Sequence, residues 1–270
     1  MNVNTTRQCS QVQQYSLLAM DEIHRFFSRK NTVNYLSEAE NAQSGNYLEI
    51  LRAVCRLSYM SMYVIDYQRK EFEYVSDNQL FLCNHSPSEV MAMGYAFYFK
   101  YVSEEDLEML IRTNEIGFDF FDRTPLEDRK NYSISYDFIL QTGKEKILIN
   151  HKLTPIFITS EGKIWKALCV VSLSSNATSG NILLSKAGED SFWELDLIGG
   201  VWNKMDKSRL TERELQIIRL HAQGLTISQI AARMCIAVDT VKFHRKKLFD
   251  KLNVKNIGEA LAYVKNNKLL

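Results

Sequence analysis

Hydrophobic positions change their period along the chain. Over 11–29, Val12, Tyr15, Leu18, Met20, Ile23, Phe26 and Phe27 recur at helical spacing, and after a polar stretch the pattern returns over 47–59 with Leu48, Ile50, Leu51, Val54, Cys55 and Leu57. A helix ahead of a domain either covers that domain or pairs two copies of it, and the spacing leaves both open. From Ser61 alternation takes over: 61–67 predicts a strand, 68–70 a turn and 71–76 a second strand. Ser86-Pro87-Ser88-Glu89 places a hydroxyl, a proline and an acid where a helix starts, and Ser103-Glu104-Glu105-Asp106 opens a longer helix through Leu107, Leu110, Ile111 and Ile116 toward Phe121. Strand-like runs follow at 132–141, 146–157 and 163–172, punctuated by turn residues at 142–145 and 159–162. The order predicts an α+β unit, an antiparallel sheet with helices on one face.

Residues 181–186, 191–197 and 201–204 read as short strands, and Trp193 and Trp202 suit cross-strand packing on such a ribbon. With no proline and no serine enrichment, 176–206 reads as an ordered connector, with extension of the sheet as one option. Helical spacing then resumes. Thr211 caps a helix with Glu214 as its reciprocal partner; Leu215, Ile218 and Leu220 form its apolar face and Gly224 stops it. Thr226 and Gln229 repeat the box ahead of Ile230, Ala231 and Met234. A short turn, Cys235-Ile236-Ala237, leads into a third helix over 238–252, and a last one follows at 256–265. The domains are expected at 1–59 (helical), 60–175 (α+β), 176–206 (connector) and 207–270 (four helices).

Charge separates these parts. From Lys207 onward 13 Lys and Arg stand against 5 Asp and Glu, net +8, while 1–206 carries 20 against 27, net −7, behind an overall +1. A basic tail on an acidic body points to nucleic acid at the tail. The third helix divides by geometry. Val241, His244, Leu248 and Leu252 form one stripe, so Lys242, Phe243 and Lys246 project together from another face. In a major groove lysines donate to guanine and an aromatic edge touches a thymine methyl, whereas the flanking Arg245, Lys247 and Lys251 suit phosphates.

Residues 209–266 are similar to the LuxR-type helix-turn-helix domain, on Leu210, Thr211, Arg213, Glu214, Gly224, Thr226, Ile230, Ala231, Ile236, Thr240, Val241, Lys242, His244, Lys251, Leu252 and Val254. The resemblance implies that Lys242, Phe243 and Lys246 face bases, that Thr226, Thr240 and Lys251 face phosphates, and that His244 is structural. It also implies that the last helix, with Ile257, Leu261 and Val264, pairs two heads in a homodimer; completing the small core is the other reading of those side chains. Ala237 stands where the family has a serine cap, and Asn253 where it has a glycine. Residues 60–175 resemble a PAS domain, carried by the segment from Phe72 to Asn78, the Ser86–Glu89 helix start and the segment from Val102 to Leu107. This implies a sensor for a small molecule or a protein.

The expectation is a cytoplasmic, signal-controlled transcription regulator that binds double-stranded DNA, with RNA polymerase as a further candidate partner and no membrane. No run approaches the ~18 apolar residues of a membrane span, and the first residues have no apolar signal core. Cys9, Cys55, Cys83, Cys169 and Cys235 are scattered without a CxxC pair and read as free, mostly buried thiols. His24, His85, His151, His221 and His244 make no metal motif, and neither a phosphate loop nor GxSxG occurs, so an enzyme is not expected. Haem or flavin would have to use His85, His151 or Cys83; the flavin motif is absent, and no cofactor is expected. A sigma-factor-like promoter reader and a protein-interaction adaptor built on the PAS-like unit are the alternatives.

Overall fold

The computed structural model describes residues 23, 25–43, 45–206, 210–266 and 269. The chain divides into two compact units, Met1–Met205 and Asp206–Leu270. Up to residue 22 the helix expected over 11–29 lies outside the described residues, as does His24.

In the first unit, β1 (Ser61–Asp66), β2 (Glu71–Val75), β3 (Tyr132–Thr142), β4 (Glu145–Ile158), β5 (Ile164–Leu173), β6 (Gly180–Lys186), β7 (Ser191–Asp196) and β8 (Val201–Asp206) build one sheet. It is antiparallel, in the order β2-β1-β5-β4-β3-β6-β7-β8. Residues 176–206 extend the sheet itself, since β6 pairs β3 with Ser185 opposite Ser133 and β7 pairs β6. Helices α1 (Glu38–Gln43) and α2 (Tyr47–Leu57) precede it; α3 (Gln79–Leu82), α4 (Pro87–Met93), α5 (Ala96–Tyr101) and α6 (Glu104–Arg123) lie between β2 and β3. Local chemistry starts these helices as expected. Ser86 and Glu89 complete a capping box at α4, and the Ser103 hydroxyl accepts from the Asp106 amide at α6.

Strand β1 is buried at every position because both faces are covered. Tyr63 and Ile65 pack with Phe81, Val90, Phe97, Leu110 and Phe118 from α3 to α6, whereas Met62 and Val64 pack with Leu51 of α2. Strand β5 alternates likewise, Ala167, Cys169 and Val171 against Leu168 and Val170. So α2 covers its own domain, the first of the two roles its position allowed. Trp193 and Trp202 meet through α6, both on the Phe120 ring at 5.6 and 5.9 Å. The buried Asp137 carboxylate accepts from the amides of Asn150 (2.8 Å), Asn176 (2.5 Å) and Asn181 (2.9 Å), which pins the β5–β6 link.

Rings fill the space between helices and sheet. Tyr63 stacks on Phe81 at 4.4 Å, and its hydroxyl hydrogen-bonds both the Tyr98 hydroxyl and His151 Nε2, the latter at 2.6 Å. His151 Nδ1 is buried without a partner, and burial pushes its pKa from 6.5 down to about 3. His85 Nε2 bonds the Tyr101 hydroxyl, and burial raises the Cys83 thiol. A residual cavity of about 60 Å³ lies between α6 and the sheet, lined by Thr113, Phe118, Ile134, Leu153 and Ile164 among others. The Thr113 hydroxyl there is buried and unpartnered. Cys83 and Cys169 are buried, whereas Cys55 is half-buried and Cys235 exposed. Among the described residues no group of three or more His, Cys, Asp or Glu could hold a metal, and no helix is long and apolar enough to cross a membrane.

The second unit is helical: α7 (Glu212–Ala222), α8 (Ile227–Met234), α9 (Val238–Leu252) and α10 (Ile257–Asn266). One small core joins Ile217, Leu220, Ile230, Ala231, Met234 and Val241; another joins Ile218, Leu248, Leu252, Ala260 and Val264. Ile217, fully buried, takes the inner position expected of Leu215, which is only half-buried.

Trp165, Trp193 and Trp202 all lie in the first unit, so tryptophan fluorescence follows its unfolding alone. Because the folded state keeps His151 neutral, its stability is full above about pH 6.5 and falls as pH drops below that, where the unfolded chain binds a proton the folded one excludes. Moving from about pH 7.5 to about pH 5.5 should remove about 1 kcal/mol in urea titrations. His151→Gln should flatten that slope; an unchanged slope would show that His151 does not set it.

Candidate nucleic-acid interface

Val241, Leu248 and Leu252 of α9 are 0%, 0% and 4% exposed, so this stripe is the buried one. On the other side Lys242, Lys246 and Lys247 are exposed, and Phe243 is 55% exposed. The structure thus gathers Lys242, Phe243 and Lys246 on one outward face. Lys247 Nζ sits 4.6 Å over the Phe243 ring and the Arg245 guanidinium 5.6 Å over Phe249, contacts that restrict both cations on the flanks. Lys242 Nζ is 3.0 Å from the Asp239 carboxylate, an exposed i,i+3 pair of little strength. His244 is half-buried with its ring edge-on to Phe243 at 5.7 Å.

Thr226 and Thr240 are exposed, but the Thr226 hydroxyl is already used: it accepts from the Gln229 amide and bonds the Gln229 side chain at 3.0 Å. Lys251 differs from expectation more sharply. Its Nζ lies 2.8 Å from Glu214 Oε2, which also accepts from the Thr211 amide at 2.8 Å. The Glu214 side chain is 4% exposed and that of Lys251 32%. Burial alone would raise the Glu214 pKa, but the Lys251 ammonium and the Thr211 amide outweigh it and hold the carboxyl below its ordinary value. The cation expected on a phosphate therefore ties the end of α9 to the start of α7. Val264 of α10 is likewise core, at 0% exposed, with Ile257 and Leu261 half-buried against the same cluster. The core-completing reading fits Val264.

Both departures lie at the ends of α9. Ala237 caps its start without a side-chain bond, and Asn253 adopts the left-handed conformation at φ 52°. Two members of the outward face were missed. Val238, 38% exposed, is four residues before Lys242 and so on the same side; that spacing was available in the sequence. Asp239 was readable only as a surface acid until its bond to Lys242 was seen.

Ala237→Ser should supply the absent cap and raise the melting free energy of the second unit by about 0.5–2 kcal/mol, read from helical circular dichroism. Glu214→Gln should lower it by about 1.5–3 kcal/mol at neutral pH, because Lys251 loses a charge-assisted bond. A depressed carboxyl stabilises above its unfolded pKa of about 4.5 and loses that contribution as pH falls through the folded value. The variant's deficit should therefore shrink below about pH 4.5, and a constant deficit would count against the ion pair as its source.

Residues 208–264 match the family described as bacterial regulatory proteins, luxR family. The probable transcriptional regulatory protein SgaR of Hyphomicrobium methylovorum is 49% identical over 53 residues, 20% of this chain and 25% of that one. The nitrate/nitrite response regulator protein NarL of Escherichia coli K12 is 32% identical over 93 residues, 34% of this chain and 43% of that one. The chain thus spans from a quarter to under half the length of these relatives. A solved Vibrio cholerae VqmA dimer covers 81% of this chain and 86% of its own at 15% identity, with a TM-score of 0.33, too loose for residue correspondence. The C-terminal unit of this chain thus carries a luxR-family domain over residues 208–264.

Proposed function

We propose that this protein is a sequence-specific DNA-binding transcription regulator that acts as a homodimer, with a PAS-like sensor controlling its DNA-binding head. One observation carries the reading: burial of Val241, Leu248 and Leu252 turns Lys242, Phe243 and Lys246 outward together. Two lysines and an exposed ring on one helix face offer donors for guanine O6 and N7 and an apolar edge for a thymine methyl. Arg245 and Lys247 flank them toward phosphates, with Thr240 at the helix start. The sensor reading is supported by two strands, four helices and then three antiparallel strands, the element order read from the sequence over 60–175. The small cavity beside the unpartnered Thr113 hydroxyl supports a signal that enters or reshapes this interior. Control then works by shifting the balance between two arrangements of the paired heads.

The test selects preferred sites from random DNA with the full-length protein and repeats gel shifts with Lys242→Ala/Lys246→Ala. Specific binding should fall on the order of 100-fold, with weak binding to all sequences left. Lys247→Ala should instead weaken every sequence alike and lower the salt slope by about one. Undiminished site preference in the double variant would overturn the readout face.

A further inference from the structure

We infer that Asp239 reads DNA sequence together with Lys242, the two meeting the major-groove edge of one G·C base pair with the lysine on guanine and the acid on cytosine; this rests on the reading face proposed above. Asp239 is the second residue of α9, and in a helix-turn-helix the first residues of the recognition helix reach base edges. Asp239, Phe243 and Lys246 follow one another at spacings of four and three, so they share one stripe, turned away from the buried Val241 and Leu248. The Asp239 side chain is 90% exposed and that of Lys242 57%. An acid therefore stands within the cationic face, its carboxylate 3.0 Å from Lys242 Nζ.

Duplex chemistry leaves such an acid few partners. Phosphates and the acceptors of guanine and thymine repel it, and in the major groove only the cytosine N4 and adenine N6 amino groups donate to it. Opposite any other base it costs binding, so the carboxylate acts through discrimination. The spacing of the charge pair narrows the choice. Guanine O6 and cytosine N4 are hydrogen-bonded to each other, which sets them ~2.9 Å apart, close to the 3.0 Å between Lys242 Nζ and the carboxylate. The ammonium carries three hydrogens, so holding the acid leaves the others for O6 and N7 of the same guanine. A T·A pair also offers a keto oxygen to the lysine and an amino group to the acid. Its adenine N7, however, then lies on the carboxylate's side, acceptor against acceptor. A C·G pair in the reverse orientation sets the acid over both guanine acceptors. Only G·C, in one orientation, suits both charges. A purely local role is the competing account, since an acid in the first turn favours the positive end of a helix whose Ala237 gives no side-chain cap.

Site selection from random DNA with the full-length protein separates the two. Asp239→Ala and Lys242→Ala should each flatten the same position of the selected site, a G·C pair in wild type, from a preference of about tenfold or more to about twofold or less. Binding to unrelated DNA should move in opposite directions, tighter for Asp239→Ala and weaker for Lys242→Ala. N4-methylcytosine at that position puts a methyl group where the carboxylate accepts. It should weaken wild type by about tenfold and leave Asp239→Ala unaffected. The methylated site is read on wild type, so this arm stands even where alanine lowers the stability of α9. A selected site unchanged in Asp239→Ala, different positions affected by the two variants, or wild-type indifference to the methyl group would overturn the inference. Preference lost in Lys242→Ala/Lys246→Ala but kept in Asp239→Ala would strike this pairing alone, whereas preference kept in both would strike the reading face itself.

Discussion

The second unit depends on one packing constraint: a core assembled from four short helices can bury only one stripe of α9. Val241, Leu248 and Leu252 occupy it, and each such side chain contributes about 1.5–3 kcal/mol by leaving water. Turning α9 by one residue would bury a lysine or the Phe243 edge and expose part of that stripe. The outward set is therefore what remains after packing is satisfied. Side chains on this face can vary without disturbing the fold, because none of Lys242, Phe243 or Lys246 contributes to either small core.

An analogous constraint shapes the first unit. A sheet whose central strands are apolar on both faces needs two covers, and α3 to α6 supply only one. Met62, Val64, Leu168 and Val170 would face water without α2. On the helix side the aromatic interior is nearly closed, with the Tyr98–Tyr63–His151 hydroxyl and imidazole contacts replacing water among the rings. Polar groups so placed are favourable only while every partner stays seated, which makes this knot sensitive to anything that moves α5 or β4.

Much of this was legible because the signals are local. Ser86, Ser103, Thr211 and Thr226 cap the helices they were expected to cap, and alternation located the strands to within a residue or two. Such features depend on neighbours three or four residues away. What sequence could not show depends on distance along the chain: Lys251 meets Glu214 across 37 residues, and Tyr63 meets His151 across 88. The inner face of α7 was misjudged for a related reason. Leu215 and Ile217 are both apolar, and only the position of α8 and α9 decides that Ile217 points in. The outward face of α9 was readable since one helix's periodicity defines it; the pairing of Lys251 with Glu214 was not, since a neighbour's carboxylate decides it.

That pairing bears on how the +8 of the C-terminal part can be used. Its cations are not equivalent. Lys242 exchanges with Asp239 through an exposed pair worth at most about 1 kcal/mol, so a base or phosphate can replace the carboxylate easily. Arg245 and Lys247 lie on rings that limit their motion without consuming their charge, which lowers the entropy lost on contact. Lys251 is different in kind. Drawing it onto a phosphate would leave the nearly buried Glu214 carboxylate with the Thr211 amide but without its cation, at a cost of about 1.5–3 kcal/mol set against the new contact. Sequence spacing alone counts it with the phosphate ligands. The packed structure instead uses it to hold the end of α9 against the start of α7, the contact that fixes which face of α9 is turned outward.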